Sequence, residues 1–170
     1  DTLIYRFAET SLGEVVLVAS DNGVSAVWFV DKGHDETLEL LHCKFVGCKL
    51  EEGQHPFIDS ALMFFQDFFS GRESLCDVPL DLRGTPFQLR VWEALRGIHR
   101  GETTTYAEIA RRIGCPKSCR AVGNAVGANP IAVFVPCHRV VRSDGMPGGY
   151  RWGVWRKKAL LDIEHRLNQD

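Results

Sequence analysis

Thr103-Thr104-Thr105-Tyr106-Ala107-Glu108-Ile109-Ala110, followed after Gly114-Cys115-Pro116-Lys117-Ser118 by Cys119-Arg120-Ala121-Val122-Gly123-Asn124-Ala125-Val126-Gly127, decides how the second half of the chain folds. Thr105 with Glu108 three residues on has the pattern of a capping box, so a helix is predicted to start there. Gly114 stops it, and Pro116-Lys117-Ser118 supplies a short turn and a new cap. Cys119 to Gly127 reads as a second helix of mostly small residues. Two short helices about a tight turn predict a helix-turn-helix, a pattern that many helical hairpins share. Arg120 in the first turn sharpens it, because Ala121 and Gly123 leave that helix so stripped of bulk that a nucleic-acid backbone could come very close.

Upstream, Phe87, Val91, Leu95 and Ile98 mark one face of a helix over 87–98, with Pro86 at its start. Arg83-Gly84-Thr85-Pro86 makes the best domain boundary. Before it, Leu3 to Ala8, Glu14 to Ser20 and Val24 to Val30 read as strands, joined at Ser11-Leu12-Gly13 and Asp21-Asn22-Gly23. His34 to Phe45 and Pro56 to Phe69 read as helices, the second with a core stripe of Ile58, Ala61, Leu62, Phe65, Phe68 and Phe69. Val78 to Leu82 reads as one more short strand. The expected fold class is α+β: a small strand-rich domain over 1–83, then a mostly helical domain over 84–170.

At 170 residues, 45% hydrophobic and 25% charged, the composition is that of a globular chain. No apolar run approaches the ~20 residues of a membrane span, and Asp1-Thr2-Leu3-Ile4 carries no secretory signal. The missing initiator Met suggests a processed or excised piece. Six cysteines, at 43, 48, 76, 115, 119 and 137, lack any C-x-x-C pair and are read as reduced cytosolic thiols. Neither the C-x3-C nor the C-x4-C spacing assembles four ligands, so no metal is expected. Charge is uneven: residues 1–83 hold 6 Lys+Arg against 15 Asp+Glu, and residues 84–170 hold 14 against 7. The second half thus has the footprint of a polyanion-binding surface, although a solvated basic face is common.

Ile131-Ala132-Val133-Phe134-Val135-Pro136-Cys137-His138-Arg139-Val140-Val141 holds the candidate chemistry. A buried apolar strand is predicted to lead into Pro-Cys-His-Arg-Val. An apolar surround makes a thiol inert, so a reactive Cys137 needs an adjacent base or cation. Neighbours on a strand point opposite ways, so a Cys137 to His138 link requires a turn or a bridging water. These residues alone leave open a reactive thiol, as in a Cys-His hydrolase that turns over, and a DNA-binding regulator in which Cys137 is structural.

Thr85-Pro86-Phe87-Gln88, Arg120-Ala121-Val122-Gly123, Asn129-Pro130, Pro136-Cys137-His138-Arg139-Val140, Gly149-Tyr150 and a last helix with Leu160-Leu161 and Glu164 run in order through about half of the chain. Together they resemble the O6-alkylguanine-DNA alkyltransferase family. Tyr150-Arg151-Trp152-Gly153-Val154 is more similar to the C-terminal half of bacterial Ada proteins than to the free-standing members, which implies fusion to an N-terminal regulatory domain. Residues 1–83 match the family in outline only.

The resemblance implies that Cys137 is the acceptor nucleophile, activated through a water by His138, with Glu164 holding the imidazole. It implies that Tyr106 crowds a phosphate and donates toward guanine N3, and that Arg120 fills the gap left by a flipped nucleotide. Asn129 would organise the turn from the recognition helix to the Cys strand. Tyr150 and the Arg151 backbone would bind O6, and the carbonyls of Cys137 and Val140 would accept from the exocyclic amine. Ala121 and Gly123 would lie on a recognition helix in the minor groove.

The implied partner is double-stranded DNA containing alkylated guanine, with O4-alkylthymine as a second substrate. The alkyl group, mainly methyl, passes irreversibly to the protein, one event per molecule. The implied protein has no cofactor, metal or membrane association, is a monomer, and is cytoplasmic, or nuclear where the source has a nucleus. Trp152 stands where many members have Gly, and Ala132 where some have Pro. Both positions border the family's alkyl pocket, so Trp152 is expected to narrow it.

Overall fold

The computed structural model describes residues 1–75 and 77–167; Cys76 lies outside them. The architecture is α+β, and the chain divides into one compact unit from Asp1 to Leu82 and another from Arg83 onward.

In the first unit β1 (Thr2–Thr10), β2 (Gly13–Ser20) and β3 (Gly23–Phe29) form an antiparallel meander. Helix α1 (His34–Lys44) then leads to β4 (Lys49–Glu52), which pairs parallel to β1 and gives the order β3-β2-β1-β4. Helix α2 (Pro56–Phe69) starts with Pro56 at its first turn and His55 accepting from Phe57 N. It buries Ile58, Ala61, Phe65 and Phe68 and packs on β2 and β3, so the aromatic stripe is core, each fully buried Phe being worth about 2 kcal/mol.

Two features differ from the sequence reading. Residues 78–82 form a single parallel bridge between Leu80 and Val24 instead of a strand. Pro79 has no N–H to give, so only its carbonyl, which accepts from Val24 N at 2.9 Å, and Asp81 N, which donates to Val24 O at 2.8 Å, join the ladder. The segment runs so close that a Cβ at Gly23 would stand 2.6 Å from the Pro79 carbonyl oxygen, which reserves the position for glycine. Strand β4 has no strand signature in the sequence, because Lys-Leu-Glu-Glu carries the charges of an exposed edge and none of the usual apolar signal.

The second unit opens with α3 (Pro86–Arg96), capped by a complete Thr85–Gln88 box. Next come β5 (Thr104–Thr105), α4 (Tyr106–Arg112) and α5 (Cys119–Gly127). Thr105 Oγ1 accepts from Glu108 N as predicted, but the Glu108 carboxylate pairs with Arg111 and Arg112 instead of closing the box. Gly114 ends α4 with φ 79°, where Cys115 N reaches Ala110 O and Arg90 holds the Ile113 carbonyl. Ser118 precedes α5, yet its side chain makes no capping bond, because its backbone is turned away from the extended conformation a cap requires. The buried Trp92 indole donates to Ala125 O at 2.9 Å and pins α3 to α5.

The expected strand over 131–135 is a series of turns. Phe134 N bonds Ala132 O, Val135 N bonds Ile131 O, and Cys137 N bonds Val135 O, so the segment satisfies its backbone locally. A short apolar run reports burial without reporting conformation, which is why it read as a strand. A 3₁₀ turn over Cys137–Arg139 follows, then β6 (Val140–Val141), parallel to β5, and finally α6 (Val154–Leu167).

Candidate active site

Cys137 opens the 3₁₀ turn and is almost fully buried. Its position depends on Asn129, which is 0% exposed. The Asn129 amide nitrogen donates to Val135 O at 2.8 Å and to the Cys137 sulfur at 3.0 Å, while its oxygen accepts from Ile131 N at 2.9 Å. One side chain thus ties both ends of the loop 129–137. Val133 within it adopts φ 72°, held by the Ala132 to Phe134 bond, a conformation costing a β-branched residue about 1–3 kcal/mol.

The turn settles how adjacent residues share a site. His138 is fully buried and its Nε2 lies 2.9 Å from Glu164 Oε1 on α6, while Nδ1 has no hydrogen-bond partner. Arg139 grips the same carboxylate through Nε, at 3.1 and 3.0 Å, and through Nη2, and its Nη1 donates to Ile98 O at 2.5 Å. Burial pushes the pKa of His138 down, more than the neighbouring carboxylate raises it. Burial would raise Glu164, but the bonds from His138 and Arg139 prevail and bring it to about 2.

Burial pushes the Cys137 thiol up to about 11, against the opposing pull of the Asn129 bond and the charges of Lys157 and Arg151. Lys157 has no solvent exposure; its ammonium donates to Val140 O at 2.5 Å and Gly149 O at 3.1 Å, and burial lowers its pKa to about 8. The Arg151 guanidinium donates to Asn129 O at 3.0 Å and lies over the Trp152 ring.

A cavity of about 260 Å³ leads to the thiol, lined by Tyr106, Gly123, Val126, Gly127, Cys137, Gly149, Tyr150 and Arg151. Tyr106 starts α4 and is half-buried. The Tyr150 hydroxyl is buried beside Cys137 without a partner at hydrogen-bond geometry, and burial raises its pKa well above the usual value.

Of the residues singled out from sequence, Cys137, Tyr106, Gly123, Tyr150 and Arg151 border this cavity, Asn129 bonds the thiol, and His138 and Glu164 pair with each other, His138 from the same turn as Cys137. Arg120 and Ala121 are exposed on the first turn of α5. Trp152 and Val140 stand outside the lining: the buried Trp152 ring packs edge-on against Tyr150 at 5.4 Å, and the Val140 carbonyl receives the Lys157 ammonium. Lys157 and the Arg139 grip on Glu164 escaped the sequence reading. Lys157, Leu160 and Glu164 stand at i, i+3 and i+7, so one buried face of α6 carried the signal.

Residues 86–166 match the family model described as 6-O-methylguanine DNA methyltransferase, DNA binding domain. The chain is 40% identical over 169 residues to the bifunctional transcriptional activator/DNA repair enzyme Ada of Escherichia coli (strain K12), covering 94% of this chain and 45% of that protein. It therefore spans about half the length of that relative. It is 35% identical to the constitutive methylated-DNA–protein-cysteine methyltransferase of Bacillus subtilis (strain 168), covering 94% of each. The crystal structure of Mycobacterium tuberculosis OGT in complex with DNA is similar at a TM-score of 0.80 and 37% identity, covering 96% of this chain and 94% of that one. With the Bacillus subtilis protein matched at 35% identity over 94% of its length, the chain belongs to the 6-O-methylguanine DNA methyltransferase family.

Proposed function

We propose that this protein repairs double-stranded DNA by taking the alkyl group of a flipped O6-alkylguanine, mainly methyl, onto Cys137, once per molecule. The observation that carries this reading is a buried thiol at the end of a cavity bordered by α5, in the same short turn as a buried His138 paired with Glu164. A thiol held near 11 is scarcely ionised at neutral pH, so attack requires a base. His138 Nδ1, through a water, takes the thiol proton, and Glu164 steadies the ring through Nε2.

The Cys137 sulfur then bonds the alkyl carbon as the carbon–O6 bond breaks. The electron pair of that bond passes to the base, which takes up a proton and leaves as guanine. Tyr106 donates toward guanine N3, Tyr150 and the Arg151 backbone bind O6, and the amine donates to the Cys137 carbonyl and to the second lone pair of the Val140 carbonyl, whose first takes the Lys157 ammonium. Lys157 and Arg151 favour the thiolate as it forms. The product thioether is a very poor leaving group, so the site does not turn over, and O4-alkylthymine is a second substrate for the same geometry.

Arg120, exposed at the start of α5, occupies the gap left by the extruded nucleotide, with Ala121 and Gly123 allowing close approach to the minor groove. No helix among the described residues is long and apolar enough to cross a membrane. We assign the protein to the compartment of its DNA, cytoplasm or nucleus, and the residues beyond Arg83 to the DNA-binding and transfer domain.

The test is to incubate the protein with duplex DNA carrying one labelled O6-methylguanine. Label should reach a plateau near one per protein, on Cys137, and Cys137→Ser should take none while binding duplex nearly as well. Continued release of small product would indicate a hydrolase, and absence of transfer a binding module. Label on another cysteine would overturn the assignment.

A further inference from the structure

Glu164 is held from two sides by groups of different character. His138 Nε2 meets Oε1 at 2.9 Å, and the Arg139 fork takes both oxygens while its remaining terminal nitrogen is anchored on Ile98 O at 2.5 Å. An imidazole alone beside a buried carboxylate tends to gain a proton and become an imidazolium, which has no lone pair for a thiol proton. A guanidinium is charged at every accessible pH, and placed on the same carboxylate it balances that negative charge permanently. We propose that Arg139 is a positioning residue for alkyl transfer, whose grip on Glu164 keeps His138 in the neutral Nε2–H form with Nδ1 as the acceptor. The proposal rests on Cys137 as the alkyl acceptor.

The surroundings of the ring agree. Glu164 and Lys157 act on it from α6, and Arg139 acts from its own turn; the two cations oppose protonation and the carboxylate favours it. Helix α3, the other element packed on this turn, keeps its charged Arg90, Glu93 and Arg96 exposed and contributes buried Val91, Trp92 and Leu95. Without Arg139 the carboxylate would have the ring as its main counter-charge.

The experiment is the pH profile of label transfer to Cys137 in wild type, R139Q, R139K and R139Q/E164Q. In R139Q the acid limb should move up by about one pH unit, so that transfer below the limb falls about tenfold while rates converge with wild type at alkaline pH. R139K keeps the cation and should keep the wild-type limb, and R139Q/E164Q, lacking both charges, should return the limb to its wild-type position. A loss of equal size at every pH in R139Q would mean a structural role and overturn the proposal. Should R139Q fail to fold, nitrogen NMR of the wild-type His138 ring decides: a neutral Nε2–H ring at neutral pH is expected, and an imidazolium overturns the proposal. Wild type that puts no label on Cys137 would overturn the transfer reading instead, which the NMR result leaves distinguishable.

Discussion

The Asn129 amide nitrogen stands 3.0 Å from the Cys137 sulfur and 2.8 Å from the Val135 carbonyl, so the group that builds the loop is also the group that touches the buried thiol. Replacing it leaves the buried Ile131 N–H unpaired and strips the Val135 carbonyl of one of its two donors, Cys137 N being the other. Asn129→Ala should therefore destabilise the protein by about 2–4 kcal/mol and slow transfer through misplacement of the thiol. Urea unfolding checks the first effect, and a change under about 1 kcal/mol would count against this role.

Gly123 separates stability from function. A Cβ there would meet only Tyr106 Cδ1 at 3.9 Å, an ordinary contact, while the position lines the cavity. Gly123→Ala should raise stability by about 0.5–1 kcal/mol, as in any helix interior, and still slow reaction with duplex DNA. An alanine variant that is both more stable and fully active would remove Gly123 from the DNA-facing wall.

Stability should fall in acid in a defined window. Despite burial, the bonds from His138 and Arg139 hold Glu164 at about 2 against an ordinary 4.5. Its contribution is fully present above the ordinary value and is lost as the pH falls toward the folded one, roughly 3 kcal/mol in all. His138, lowered by burial, adds to the loss below its ordinary 6.5, because the unfolded ring binds a proton that the folded ring refuses. Glu164→Gln should flatten the stability curve between about pH 5 and 3, measured by denaturant midpoints; an unchanged slope would contradict the pairing.

Lys157→Met keeps most of the buried shape and removes the charge. The ammonium ties Val140 O to Gly149 O and favours an ionised Cys137, so the variant should transfer alkyl about tenfold more slowly while remaining folded. Transfer rates measured beside a circular-dichroism melt separate the two effects, and a folded variant with the wild-type rate would refute the electrostatic role.

Trp152 should set the alkyl range through its neighbour. Its ring backs Tyr150 edge-on, so Trp152→Gly frees Tyr150 to move and widens the cavity that leads to the thiol. Benzyl transfer should rise several-fold relative to methyl transfer, an order expected when overpacking is relieved. The same benzyl-to-methyl ratio in wild type and variant would show that neither ring limits the site.

How much of this could be read in advance depended on the kind of signal. The meander strands and α2 were legible, because β-branched runs, an Asp-Asn-Gly turn and a helical stripe of aromatics each name one conformation. Cys137, His138 and Glu164 were found through a motif, and their union is a matter of tertiary placement: 26 residues separate His138 from Glu164. The 131–135 turns were misread since their shape depends on the Asn129 amide, a side-chain bond that periodicity cannot express. Lys157 is one of 14 Lys+Arg in residues 84–170, and a charge count does not reveal which lysine turns inward.

Under the proposed single transfer, the depth of Cys137 also governs how long the protein keeps before it reacts. A thiol 2% exposed and protonated up to about 11 is dormant toward the oxidants and soluble electrophiles that attack open thiolates. Cys43 and Cys119, both exposed, meet such reagents first. In the proposed reaction the thiol answers only a partner that fills the cavity and brings its carbon to the sulfur, so shelf life before the encounter and commitment during it come from the same burial.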